Sequence, residues 1–291
     1  MPTEPASEIN LRRATKEDAA ACGQICYNAF GTLNPAHGFP TDFPAPEIAI
    51  GALTMMFSHP DFYCLVAESA GKILGSNCLD LRSSIAGIGP ISIDPAAQNA
   101  GVGRALMRAV IDYANARKVP GIRLVQAAYH NRSLSLYASL GFDIQEPLSC
   151  MQGRTRERNV PGCSVRAAIS ADMEACNALA RRVHGFDRAA ELSEAVGHGT
   201  ARVVERGARI TGYATDLAFF SHAVAETNVD LQALIASTES FGGPGILVPS
   251  RNNALFRWCL ENGLRVTQPM TLMSMGLYNQ PSGAWLPSVT F

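Results

Sequence analysis

Apolar positions recur along the first half of the chain in a fixed order of long and short periods. Helical spacing predicts helices over residues 16–30, 46–57, 102–117 and 133–140. Short apolar and β-branched runs predict strands over 62–68, 73–81, 85–93 and 122–128, and a closing hairpin after the last helix. Between the first two helices, residues 31–46 predict a long loop rich in Pro, Gly and aromatic residues, a composition suited to a lid over a pocket. A mixed α/β sheet flanked by helices is the economical way to bury this pattern.

The second half repeats the first in weakened form. Residues 11–18 (LRRATKED) recur as 165–172 (VRAAISAD), at an offset of 154. Val66-Ala67-Glu68 and Ile73-Leu74-Gly75 recur as Val203-Val204-Glu205 and Ile210-Thr211-Gly212, at an offset of 137. The helix before Gly141 recurs before Gly263 at an offset of 121 or 122, where Trp258 is read as replacing Tyr137. The falling offset means that the second copy is shorter by about 17 residues after its first helix and by about 16 around its third. Two tandem domains are therefore expected, 1–153 and 163–291, joined by a polar linker at 154–162 that ends in Pro161-Gly162. The tail from Tyr278 to Phe291 carries Trp285, Leu286 and Phe291, is too short to fold alone, and is expected to pack on one of the domains.

Composition narrows the class. The chain has 291 residues, 47% hydrophobic and 17% charged, which suits a globular protein with a sizeable core. A net charge of −1 argues against a large nucleic-acid footprint. No apolar run reaches membrane-spanning length, and Met1-Pro2-Thr3-Glu4-Pro5 has no signal-peptide character, so a cytoplasmic location without membrane contact is expected. Eight cysteines form no Cys-x-x-Cys pair and no metal-like spacing with histidine, so reduced thiols and no metal are expected. Cys22, Cys26, Cys64 and Cys78 read as small core residues.

The most informative stretch is Asp94 to Arg104. A strand stops at Pro95, crosses a turn with Gly101 and Gly103, and becomes an amphipathic helix. The first N–H groups of that helix lack intrahelical partners and have the helix dipole behind them, which makes a site for a phosphate or pyrophosphate. The glycines allow positive φ and close approach of an anion. Neither a P-loop nor a Rossmann spacing is present.

Gln98 stands three and five residues before the glycines, after Ile-Asp-Pro, and this Gln-x-x-Gly-x-Gly turn resembles the signature of the GNAT N-acetyltransferase family. A second block, His130 to Phe142, resembles that family's helix ending in Leu-Tyr-x-x-Leu-Gly-Phe. The resemblance implies a tandem arrangement with an intact first copy and a degenerate second one. It implies that Gln98, Asn99, Ala100, Gly101, Val102, Gly103 and Arg104 bind the pyrophosphate of acetyl-CoA. It further implies that Ile91 and Ile93 bind the pantetheine arm through their backbones, in a gap between splayed central strands, and that Tyr137 protonates the departing CoA thiolate. The family's asparagine falls on His130, with Asn131 beside it; either one could contact the CoA arm, and Ser133 belongs to the same block. A phenol is neutral at pH 7 and can donate a proton.

The expected reaction is direct attack of a primary amine, on a small molecule or peptide, on the thioester of acetyl-CoA, with no metal. The base is open among Asp80, Glu68 and His37, with Asp80 preferred and a solvent-relayed proton as its equal. Glu68 is matched by Glu205 in the second copy, which argues for a structural role. The alternative is a non-catalytic acyl-CoA-binding or sensing module, which would keep the pyrophosphate turn without needing Tyr137. Monomer and homodimer both remain open.

Overall fold

The computed structural model describes residues 9–290. The readings placed on Met1–Pro5 and on Phe291 lie outside them. The chain divides into two compact units, Met1–Leu81 with Gly87–Val119, and Arg82–Ala86 with Pro120–Phe291. Both mix α and β structure, with sheets flanked by helices.

The first unit contains β1 (Asn10–Arg13), α1 (Ala19–Ala36), α2 (Pro46–Ser58), β2 (Phe62–Ser69), β3 (Lys72–Asp80), β4 (Ala86–Ile93) and α3 (Val102–Ala116). Its strands pair antiparallel in the order β1-β2-β3-β4. The helix α3 turns Val102, Leu106, Met107, Val110, Ile111 and Ala114 inward, a spacing that lays one stripe against β2 and β3. Cys22, Cys26, Cys64 and Cys78 are buried with Leu53, Phe62 and Val66, as small core residues should be. One expectation is corrected. Helix α1 does not stop at residue 30 but runs through Pro35 to Ala36, and the loop shrinks to the residues before α2. A proline near a helix C-terminus removes one donor and leaves the earlier turns intact. Buried Asn34 then donates through Nδ2 to the Pro40 carbonyl at 3.0 Å and folds the loop back.

The second unit begins with β5 (Gly121–Ala127), α4 (Asn131–Ser139) and β6 (Asp143–Gln152). It continues with β7 (Ser164–Ala167), α5 (Met173–His184), α6 (Ala189–Gly197), β8 (Arg202–Arg206), β9 (Arg209–Ala214) and β10 (Ala223–Ala225). The remaining elements are α7 (Asn228–Ala236), β11 (Ile246–Pro249), α8 (Asn253–Glu261), β12 (Arg265–Gly276) and β13 (Ala284–Leu286). Two antiparallel arrangements result, β5-β12-β6-β11 and β13-β10-β9-β8-β7. The tail packs here, with Val224 paired to Trp285 and both Trp285 and Leu286 buried.

The expected closing hairpin after α4 does not form. Residues 143–152 make one strand, β6, and its partners come from far along the chain: β11 on one side and β12 on the other. β12 also pairs along its length with β5, from Gly276 opposite Gly121 to Met270 opposite Ala127. Strand β6 therefore sits between β11 and β12 of the second repeat, while β12 sits between β5 and β6 of the first. Strands from 121–152 and from 246–276 thus alternate in one arrangement within the second unit. The segment 154–162 has no regular element; Thr155 is buried, and the Arg156 N–H donates to the Asn262 carbonyl at 2.9 Å.

Candidate active site

In the first unit, β4 is irregular before it reaches the glycine turn. Its pairing with β3 jumps from Asn77–Ile91 to Leu79–Ile88, so Gly89 and Pro90 stand opposite Cys78 alone. This is a β-bulge, a device that re-aims backbone groups and recurs beside active sites. Ile91 and Ile93 follow it, partly buried, opposite Asn77 and Gly75. Asp94 then closes the strand: its Oδ1 accepts from the Ala96 N–H at 3.0 Å and its Oδ2 pairs with Lys72 Nζ at 2.9 Å. Lys72 and that N–H hold its carboxyl below the ordinary range. The local negative charge is thus tied down before the turn begins.

Gln98, Asn99, Ala100 and Gly101 are exposed, Gly103 and Arg104 partly so, and Val102 is buried as the first core residue of α3. Gly101 caps α3 with φ +84°, in the left-handed region, and Asn99 also has positive φ. A Cβ built on Gly101 would meet no atom within 4 Å. Glycine is therefore required here for its backbone conformation, and the space beside it is open. No side chain caps the start of this 15-residue helix, so its first N–H groups lack a side-chain cap and have the helix dipole behind them.

In the second unit, α4 begins at His130, its N-cap, followed by exposed Asn131. Ser133 Oγ lies 3.0 Å from the His130 carbonyl and 3.3 Å from Gln126 Oε1 on β5. The other end of the helix fixes Tyr137. The Phe142 N–H donates to the Tyr137 carbonyl and the Gly141 N–H to the Ala138 carbonyl, both at 3.1 Å, with Gly141 at φ +100°. These are the two bonds of a Schellman cap, whose usual apolar contact is here the Tyr137 ring edge-on to Phe142, 6.3 Å between centroids. Tyr137 is buried, and burial pushes its phenol above the ordinary range. It stays protonated, and can donate, to higher pH than a free tyrosine.

The three base candidates have different surroundings. Glu68 accepts from Arg12 Nε at 3.0 Å and from Asn10 Nδ2 at 3.1 Å, so it fastens β1 to β2. Glu205 is engaged in the same way by Arg166, at 3.0 and 2.6 Å. His37 is the exposed C-cap of α1, with Nδ1 3.0 Å from the Leu33 carbonyl. Asp80 is buried at the end of β3, paired in register with Phe62 and Gly87.

The sequence repeat in the second half places α7 after β10, with no glycine turn. Its N-terminus is closed by its own residues: Thr227 N–H donates to Asp230 Oδ2 at 3.1 Å, and Asp230 N–H to Thr227 Oγ1 at 3.4 Å. Asp230 is fully buried and also accepts from Thr211 Oγ1 at 2.6 Å and from Arg206 Nη2 at 3.2 Å. A carboxylate of the chain occupies the place where an external anion would bind. The Thr-x-x-Asp spacing at 227–230 was the available signal for this.

The residue matching Tyr137 also needs correction. Leu264 N–H donates to the Cys259 carbonyl at 3.0 Å and Gly263 N–H to the Leu260 carbonyl at 3.2 Å, the same cap at an offset of 122. Cys259, not Trp258, therefore stands in the tyrosine's position. Burial pushes its thiol up to about 12. Trp258 points its indole N–H at Glu157 Oε2, 3.3 Å away, in the segment between the repeats. The cap glycine sets the alignment, and counting from the aromatic residue had shifted it by one.

One polar group went unnoticed in the sequence. Gln126 Nε2 is buried beside Ser133 with no hydrogen-bond partner among the described residues. A lone glutamine in a strand gives no motif by which to find it. Among the described residues there is no cluster of three or more His, Cys, Asp or Glu placed to hold a metal, and no helix is long and apolar enough to cross a membrane.

Residues 29–142 match the model of the acetyltransferase (GNAT) family. No curated protein matches the chain significantly. Two solved structures are similar over nearly the whole length. One is a proposed acetyltransferase from Pyrococcus horikoshii, with TM-score 0.73 and 18% identity, covering 95% of this chain and 94% of that one. The other is a GCN5-related N-acetyltransferase from Sphaerobacter thermophilus, with TM-score 0.64 and 12% identity, covering 96% and 98%. At such identities the likeness speaks for the fold along the chain, and the family match speaks for the segment that contains the glycine turn and the tyrosine helix. Residues 29–142 are thus similar to the acetyltransferase (GNAT) family, and the chain as a whole has the fold of these two structures.

Proposed function

We propose that the protein transfers the acetyl group of acetyl-CoA to a primary amine of a small molecule or peptide. The observation that carries this reading is Gly101, left-handed at the start of α3 with open space where a side chain would lie. Gln98 to Arg104 receive the pyrophosphate through backbone N–H groups, as an anion at a helix N-terminus requires. The backbones of Ile91 and Ile93 bind the pantetheine arm, and His130, Asn131 and Ser133 bind CoA at the start of α4.

The amine nitrogen attacks the thioester carbonyl carbon and the C–S bond breaks. Tyr137 gives its phenolic proton to the departing thiolate, a role that its burial favours by keeping it neutral. The amine's proton leaves to Asp80, directly or through water. The copy at 1–153 carries this chemistry, and the copy at 163–291, whose helix N-terminus is closed by Asp230, serves packing and the shape of the acceptor site. The absence of any apolar helix of spanning length among the described residues is compatible with work in the cytoplasm.

The test is calorimetric titration of acetyl-CoA into the wild-type protein and Gly101→Glu, with CoA release measured over a panel of amines. Binding lost in the variant, with amine-dependent release in the wild type, supports the proposal. Binding without release for any amine points to an acyl-CoA sensor, and no binding overturns the reading.

A further inference from the structure

We propose that Gln126 of β5 is a further binding residue for the coenzyme, donating its side-chain amide to a carbonyl oxygen of the pantetheine arm; this rests on the acetyl-CoA reading above. Every protein group that carries the argument belongs to the second unit. Ile122, Leu124 and Gln126 are alternate residues of β5 and all are buried, Gln126 being 5% exposed. The intervening Val125 and Ala127 pack against the apolar cluster that holds Leu148, Leu247 and Leu272. Gln126 therefore ends an apolar row with an amide, at the end of β5 nearest α4.

Only one end of that amide is used within the protein. Ser133 Oγ, in the first turn of α4, lies 3.3 Å from Gln126 Oε1. Nε2 is buried and has no hydrogen-bond partner among the described residues. Two other glutamines of this unit are more exposed, yet their amide nitrogens are engaged. Gln145 Nε2 donates to Ser274 Oγ at 2.9 Å, and Gln152 Nε2 to the Phe241 carbonyl at 3.0 Å. A buried amide nitrogen with nothing to donate to has given up water without replacement, which is costly. A ligand that brings an acceptor to this point removes the cost.

The chemistry of the acceptor follows from the donor. A neutral amide suits a neutral carbonyl oxygen, whereas a phosphate is met by cations or by the N–H groups of a helix start. The pantetheine arm is the part of acetyl-CoA that carries amide carbonyls. Ser133, already read as a contact of the coenzyme, holds the oxygen end of Gln126 and so leaves the nitrogen for the ligand.

The experiment is calorimetric titration of acetyl-CoA into the wild type, Gln126→Met and Gln126→Leu, with urea unfolding of the unliganded proteins beside it. The same titrations are run with 3′-phospho-ADP, which keeps the pyrophosphate and lacks the arm. Both variants should bind acetyl-CoA about tenfold more weakly. Gln126→Met should unfold at no lower urea concentration than the wild type, because Nε2 makes no bond within the protein that could be lost. Affinity for 3′-phospho-ADP should be the same in all three proteins. Unchanged acetyl-CoA affinity in Gln126→Met means that water satisfies the amide, and overturns the proposal. A loss of equal size for 3′-phospho-ADP, or lower stability of both unliganded variants, overturns it as well. Failure of the wild type to bind acetyl-CoA sinks the transferase reading and this proposal together, whereas full binding by the variants sinks this proposal alone.

Discussion

Arg12 holds Asp18 with two parallel hydrogen bonds, Nη1 to Oδ2 at 2.7 Å and Nη2 to Oδ1 at 2.8 Å. The pair closes the corner between β1 and α1, and Asp18 also takes the Thr15 N–H at 2.8 Å. The second repeat rebuilds the corner with Arg166 and Asp172, at 2.7 and 2.9 Å. Its recurrence in a half of the chain where helix α7 follows β10 without a glycine turn argues that the corner serves folding.

Asp18 therefore gives a stability prediction with a pH signature. Arg12 lowers its carboxyl from 3.8 to about 2. The stabilisation is full above about pH 4 and is lost as the pH falls through the folded value near 2. Because the Arg12 side chain is 37% exposed, solvent screening reduces the worth of the pair. Asp18→Asn should cost about 1.5 kcal/mol at pH 7, and urea unfolding should show the difference closing towards pH 2. A gap independent of pH would refute the assignment.

Tyr137→Phe removes one oxygen from a buried ring and leaves the cap at Gly141 intact. A fall in kcat of about 100-fold is expected, with acetyl-CoA affinity unchanged, because a general acid acts in the transition state and not in binding. Since burial raises the phenol above its usual 10, the wild-type rate should show no loss attributable to this residue below that pH. An unchanged kcat in the variant would remove Tyr137 from the mechanism.

Two glycines with positive φ should respond differently to alanine. At Gly101 the new Cβ meets nothing, so the cost is backbone strain alone, about 1 kcal/mol. At Gly245, with φ +132°, the Cβ would be driven onto the Met151 carbonyl where β11 meets β6. That substitution should cost more than about 3 kcal/mol in denaturant unfolding, since strain and a main-chain clash combine. Similar losses at the two sites would contradict the packing described for β11.

Thiol chemistry offers a simple check of burial. Of the eight cysteines, Cys163 is the one that is partly exposed. Burial pushes Cys22, Cys26, Cys176 and Cys259 up to about 12, so they are protonated and unreactive. The native protein should titrate one thiol quickly with an aromatic disulfide, and denaturant should release the rest. Fast reaction of two or more would show that the core is looser than described.

Local features were the most readable in the sequence. The helix after Gly101 and the cap at Gly141 follow from spacing and from glycine's tolerance of positive φ, both local properties. What escaped prediction depends on distant chain. No residue of β6 announces that its neighbours are β11 and β12, because alternation in a strand records which face is buried and not which strand lies alongside. Arg123 and Tyr278 are 155 positions apart in sequence and meet only in the fold. The helical course of residues 31–36 was misjudged because Gly31 and Pro35 read as breakers, although a proline near a C-terminus breaks little.

The exchange of β6 and β12 also sets a timetable for making the protein. Gly121 pairs with Gly276, so a ribosome must deliver almost the whole chain before β5 can pair with β12. Until then one edge of the first repeat stays open to the wrong partner, and closing a loop of that size is slow. The two repeats are thus obligate companions in synthesis, and a gene cut between them would separate strands and not just domains.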